Sequence, residues 1–147
     1  MKSIQANALL LISSLFIGLS ASAQTASGPA TGSVGIFEGH GDVGMNVKPG
    51  SATFIPATGQ YVISGAGYNV WADHDEFQYV WKKLKGDFIL YTRAEFLGTW
   101  VDYHRKVGWM IRKSLDGKSP HVNAVEHGDG LTSLQWRPTA GAGRSPP

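Results

Sequence analysis

From residue 77 onward the chain repeatedly alternates side chains with a period of two. Phe77, Tyr79 and Trp81 alternate with Gln78, Val80 and Lys82. Phe88, Leu90, Thr92, Ala94 and Phe96 alternate with Ile89, Tyr91, Arg93, Glu95 and Leu97. Val107, Trp109 and Ile111 alternate with Gly108, Met110 and Arg112, and Leu134 and Trp136 with Ser133, Gln135 and Arg137. Period two places each set on one face of a pleated strand. Residues 43–47, 53–55 and 61–64 are shorter strand candidates, and no stretch of the body carries a convincing helical period. The separators are turn chemistry. Lys85-Gly86 joins 77–84 to 88–97, Asp116-Gly117 joins 107–113 to 121–126, and Gly128-Asp129-Gly130 leads into 131–137. Glycine supplies the positive φ of tight hairpin turns. Short turns between alternating strands predict an all-β fold of antiparallel sheets, a sandwich or a barrel.

Several of these strands carry large side chains on both faces: Ile89 and Tyr91 oppose Phe88 and Leu90, and Trp109 adjoins Met110. A sheet with one wet face alternates more cleanly. Either both faces are covered, or the second is a concave, aromatic-bearing binding surface.

The N-terminus reads differently. Lys2, the apolar run from Ala8 to Leu19 and the small-x-small triplet Ala21-Ser22-Ala23 form the three parts of a secretory signal peptide in order. The apolar run is shorter than the roughly 20 residues of a membrane span. The expectation is an exported protein, periplasmic or extracellular, without stable membrane insertion. Residues 24–33 read as a flexible leader, 34–137 as the folded domain and 138–147 as a disordered Pro/Gly tail. Cysteine is absent, which excludes disulfides, thiol catalysis and cysteine-ligated zinc. The net charge of +2 is spread along the chain and gives no basis for a nucleic-acid partner.

Tyr68-Asn69-Val70-Trp71-Ala72-Asp73-His74-Asp75-Glu76-Phe77-Gln78-Tyr79-Val80-Trp81, followed by Gly86-Asp87-Phe88, resembles the opening of concanavalin A-like lectin/glucanase domains, in particular the regulation-of-enolase-like group. Gly108-Trp109-Met110-Ile111-Arg112 is similar to that group's Gly-x-Met-x-Arg strand, and residues 125–137 to its following strand-turn-strand. Versions of the domain stand at the N-termini of exported TolB-like proteins, ahead of a β-propeller, and Glu38 to Gly44 resembles their start. The resemblance implies an antiparallel jelly-roll sandwich and a role in binding a carbohydrate or similar polymer. Family domains continue past the Leu-Gln-Trp-Arg strand, so it also implies a sandwich incomplete at its C-terminus.

Candidate chemistry narrows the function. The glucanases of this fold carry Glu-x-Asp-x-x-Glu on one strand, and no such triplet occurs here. Asp73 and Asp75 would share a face of an extended segment, but Ala-Asp-His-Asp-Glu reads better as a turn opening the next strand. His40-Gly41-Asp42 and His127-Gly128-Asp129 are similar tripeptides set among glycines, which read as two unrelated turns. No cofactor is expected. A calcium-type site using Asp42, Asp73 or Asp75 stays open as an alternative, since such domains sometimes carry that ion.

The binding reading rests on aromatic rings beside planar hydrogen-bonding groups, which suit the C–H face and hydroxyls of a sugar. The expected ligand-binding set is Trp71, Asp75, Arg93, Trp109, Arg112, His121 and Arg137 on a concave sheet face; the competing reading makes the tryptophans core and Arg112 and Arg137 structural ion-pair partners of Asp or Glu. Two rivals remain: a protein-docking domain at the front of a TolB-like propeller protein, and a glycoside hydrolase with unconventional acids.

Overall fold

The computed structural model describes residues 32–98 and 102–143. The expected signal peptide and most of the leader lie outside the described residues, as do residues 144–147. The described residues contain nine strands and no helix: β1 Gly39–Val43, β2 Ser51–Ile55, β3 Gln60–Ser64, β4 Val70–Trp71, β5 His74–Asp75, β6 Phe77–Trp81, β7 Lys106–Arg112, β8 His121–His127 and β9 Thr132–Arg137. The protein is all-β, and every pairing is antiparallel. The strands form four small sheets, β1-β6, β2-β3, β4-β5 and β7-β8-β9.

The turn glycines do what their chemistry suggests. Gly130, at φ 88°, closes the β8–β9 turn, in which His127 N donates to Leu131 O at 2.8 Å. Gly44, at φ 76°, ends β1, so the strand occupies 39–43 rather than the expected 43–47. Its glycines also have a packing reason. Gly39 lies opposite Trp81 and Gly41 opposite Tyr79, and a Cβ at Gly39 would stand 2.5 Å from the Trp81 ring.

In the three-stranded sheet, register partners share a face. Arg112, His121 and Arg137 line up across β7, β8 and β9, as do Met110, Asn123 and Gln135. This polar face is the covered one: His121, Asn123, His127, Gln135 and Arg137 are all buried. The opposite face carries Trp109, Ile111, Val122, Leu134 and Trp136, and Leu134 is 56% exposed. The sheet is thus polar inside and apolar outside, the reverse of an ordinary half-wet sheet. β6 helps to cover the polar face: the Tyr79 hydroxyl donates to Met110 O at 2.8 Å, and the Arg112 guanidinium lies 5.1 Å from the centre of the Phe77 ring. Residues 138–143, in the stretch expected as a tail, turn back onto the body, where Arg137 Nε donates to Ala142 O at 3.0 Å and Gly141 N to Lys118 O at 3.0 Å.

Residues 88–97, which alternate as cleanly as any strand, belong to no sheet. Gly86 has the positive φ expected of a hairpin turn, 84°, yet no ladder forms across it. Burial follows the pattern only in part: Leu90 and Phe96 are half-buried and Ile89 and Tyr91 more than nine-tenths exposed, but Phe88, Thr92 and Ala94 are exposed as well.

Candidate binding site

The site is built on the hairpin β4–β5, only two residues on each side. Val70 pairs with Asp75 and Trp71 with His74, so each pair occupies one face of the hairpin. Val70 and Asp75 point inward, with Asp75 fully buried; Trp71 and His74 point outward, with Trp71 58% exposed. Ala72 and Asp73 make the turn between them. Ala72 has φ 54°, a left-handed conformation that costs an L-residue about 1–2 kcal/mol.

A hairpin this short does not hold itself. It is pinned from beneath by Arg137, buried at the end of β9. Arg137 Nη1 donates to Asp75 Oδ2 at 2.9 Å and Nη2 to Asp75 Oδ1 at 2.7 Å, a two-pronged ion pair. Nη2 also donates to Ala72 O at 3.1 Å, and Nη1 to Gly117 O and Ser119 O, both at 3.2 Å. The same guanidinium therefore grips the carboxylate and the strained turn. Arg112 Nη1 lies 3.5 Å and His121 Nδ1 3.4 Å from Asp75 Oδ2. Arg112 is itself tied to the β7–β8 loop through Ser114 O and Asp116 O.

Burial pushes the Asp75 carboxyl upward, but hydrogen bonds from His121 and Arg137 and the positive charge around it outweigh that and hold it below the ordinary carboxylate range. Burial pulls the Arg112 guanidinium below its usual range, partly opposed by Asp75 and Tyr79. Loss of either side would strand a buried charge, which is far costlier than an intact pair.

Above this floor the surface is open. A cleft of about 310 Å³ is lined by Met45, His74, Glu76, Asp116 and Lys118, with Asp75 and Gly117 at its base. His74 Nδ1 lies 3.0 Å from Asp73 Oδ1, and its Nε2 lies 3.7 Å from Glu76 Oε1. The His74 hydrogen bond holds the Asp73 carboxyl below its ordinary range. Glu76 Oε2 accepts from Tyr68 N at 3.1 Å, which sets Tyr68 beside the hairpin with its side chain 89% exposed. Trp71 on the hairpin and Tyr68 beside it are thus exposed aromatic residues, while carboxylate, imidazole and ammonium groups line the cleft.

Of the residues expected from the sequence, Asp75, Arg112, His121 and Arg137 come together as the buried cluster, and Trp71 stands at the surface above it. Arg93 lies on the unpaired 88–97 segment and is exposed. Trp109 sits on the outer face of β7, half-buried, its Nε1 without a hydrogen-bond partner. Asp73 and Asp75 do not share a face, because Asp73 lies in the exposed turn while Asp75 is on the inward side of β5. Tyr68, His74, Glu76 and Lys118 were not expected; the break in alternation at Ala-Asp-His-Asp-Glu was a signal for His74 and Glu76 alone.

Only one of the two His-Gly-Asp tripeptides is the turn that both were expected to be: His127-Gly128-Asp129 leads through the β8–β9 turn, whereas His40-Gly41-Asp42 lies within β1, paired with Val80, Tyr79 and Gln78 of β6. Asp42 receives Gly50 N on both carboxylate oxygens, at 3.1 and 2.9 Å, and Asp129 receives Leu131 N at 3.1 Å. Among the described residues, no group of three or more His, Asp or Glu side chains is gathered as ligands for a metal ion. Compared with protein-family models, with curated proteins and with solved structures, the chain matches none.

Proposed function

We propose that the protein is an exported, non-catalytic module that recognises a carbohydrate or similar polymer, and that its antiparallel strands belong to a concanavalin A-like jelly-roll sandwich. The reading moves the binding surface from the sheet face to its rim. The inner face of β7-β8-β9 is occupied by the protein's own Asp75, Phe77 and Tyr79, whereas the β4–β5 hairpin and the adjoining cleft are open. One observation carries it: a strained turn is locked by a buried ion network, and what that lock displays is an exposed indole. An indole presented on a rigid support loses little conformational freedom on binding. It stacks on a sugar's C–H face while His74, Glu76, Asp116 and Lys118 meet hydroxyls.

Glycoside hydrolysis needs one carboxyl that stays protonated near neutrality and a second that acts as base or nucleophile. Asp73 and Asp75 are both held below their ordinary range, so neither serves as the proton donor.

A glycan array, followed by affinity electrophoresis through gels containing the polysaccharides that score, tests the reading. Trp71→Ala should weaken binding about tenfold, the contribution of one stacked ring, in a protein that still unfolds cooperatively. Binding to no glycan, or equal binding by the variant, overturns it.

A further inference from the structure

The segment from Phe88 to Leu97 has the sequence of a strand and the exposure of one that lacks its neighbour. No backbone–backbone hydrogen bond among the described residues reaches 88–98. On its even-numbered face only Leu90 and Phe96 are half-buried, Phe96 with Arg105 4.5 Å from its ring centre, while Phe88, Thr92 and Ala94 are exposed. Its odd-numbered face, Ile89, Tyr91, Arg93, Glu95 and Leu97, is exposed, Ile89 and Tyr91 by more than nine-tenths. An extended chain with open N–H and C=O groups and outward apolar side chains is a template for strand addition.

The sequence selects the partner. In an antiparallel pairing of the segment with itself, centred on Ala94, Arg93 falls opposite Glu95, Tyr91 opposite Leu97 and Thr92 opposite Phe96. Two-fold symmetry makes each of these contacts twice. Arg93 and Glu95 have no ion-pair partner among the described residues, so each is available to its opposite across the axis. Opposite charges and aromatic–aliphatic pairs facing one another across an antiparallel ladder stabilise it, and like charges there oppose it.

We propose that this segment is a homodimerisation strand: two copies of the chain pair antiparallel through 91–97 about Ala94, in a register set by reciprocal Arg93–Glu95 contacts. Moving the alignment centre by one residue, to Arg93 or to Glu95, brings Arg93 opposite its own copy or opposite Leu97 and loses both charge pairs.

Charge reversal tests the register without touching any residue of the binding site. The purified protein should show a monomer–dimer equilibrium in sedimentation velocity. Arg93→Glu alone and Glu95→Arg alone should each weaken dimerisation about tenfold or more, because every charged contact becomes repulsive. Mixing the two single variants should restore it, since one copy then offers two acids and the other two bases. The double variant R93E/E95R should dimerise like the original. A protein that stays monomeric at millimolar concentration, its segment paired within its own chain, overturns the proposal. So do single variants that dimerise unchanged, or a mixture that fails to recover.

Discussion

The hairpin at 70–75 and the segment at 88–97 sit at opposite ends of one scale. The hairpin has little strand character, with two residues per arm and an alanine at positive φ, yet it is ordered into a ladder. The segment has ten alternating residues rich in β-formers and stands outside every sheet. The difference is pairing and anchorage. The hairpin owns a buried carboxylate that a guanidinium grips with both prongs, whereas the segment owns side chains that meet mainly water. Strand propensity describes fitness for a pleated, half-buried surface; it does not supply that surface.

The comparison breaks most sharply at Arg137. Arg137→Ala should cost about 3–5 kcal/mol in urea unfolding, because it leaves Asp75 buried and uncompensated and frees the Ala72 carbonyl. Arg137→Lys should recover only part of the loss, since an ammonium cannot make the paired contact with the carboxylate.

Acid attacks the same point. A carboxyl held below its unfolded value contributes stability that is complete above that value and disappears as pH falls through its folded pKa. Urea midpoints should therefore drop as pH falls below the ordinary aspartate value of 3.8. Asp75→Asn should be less stable than the original at neutral pH and should show a weaker drop.

Smaller effects sharpen the contrast. Ala72→Gly should stabilise the protein by about 0.5–1 kcal/mol, relief of the left-handed alanine being partly offset by the greater freedom of glycine when unfolded. Ile89→Ser should change the urea midpoint by less than about 0.5 kcal/mol in dilute solution, as an exposed position in an unpaired segment requires. A large loss at Ile89 would mean that the segment is packed.

The strands that form were mostly legible because period two survives wherever a ladder exists. Residues 51–55, 60–64, 77–81, 106–112, 121–127 and 132–137 all lie at or beside expected strands. β1 was misplaced because Gly-His-Gly-Asp-Val has no apolar alternation; at Gly39 the missing side chain lets the Trp81 ring lie against the strand. The identities of Asp75, Arg112, His121 and Arg137 were legible as planar polar groups near aromatic rings. That Arg112 and Arg137 pair with an acid was open as the competing reading; that the acid is Asp75 was not legible, since nothing local says that residues 62 apart will meet. The outward row of Tyr68, His74 and Glu76 was hidden for the opposite reason: the turn at Ala72-Asp73 resets the alternation, and only the folded hairpin shows which side is wet. The polar-inside, apolar-outside order of the three-stranded sheet reverses the usual expectation, so periodicity alone could locate its faces but not orient them.

The central claim is that the buried Asp75–Arg137 pair holds Trp71 out as the recognition element. The most direct measurement follows the indole N–H resonances of ¹⁵N-labelled protein during titration with a polysaccharide that scores on the array, with the Trp71 signal assigned by its disappearance in Trp71→Phe. The account predicts that this resonance moves, saturates with the bound fraction and moves further than the other indoles. A bound polysaccharide that leaves the Trp71 signal in place would contradict it.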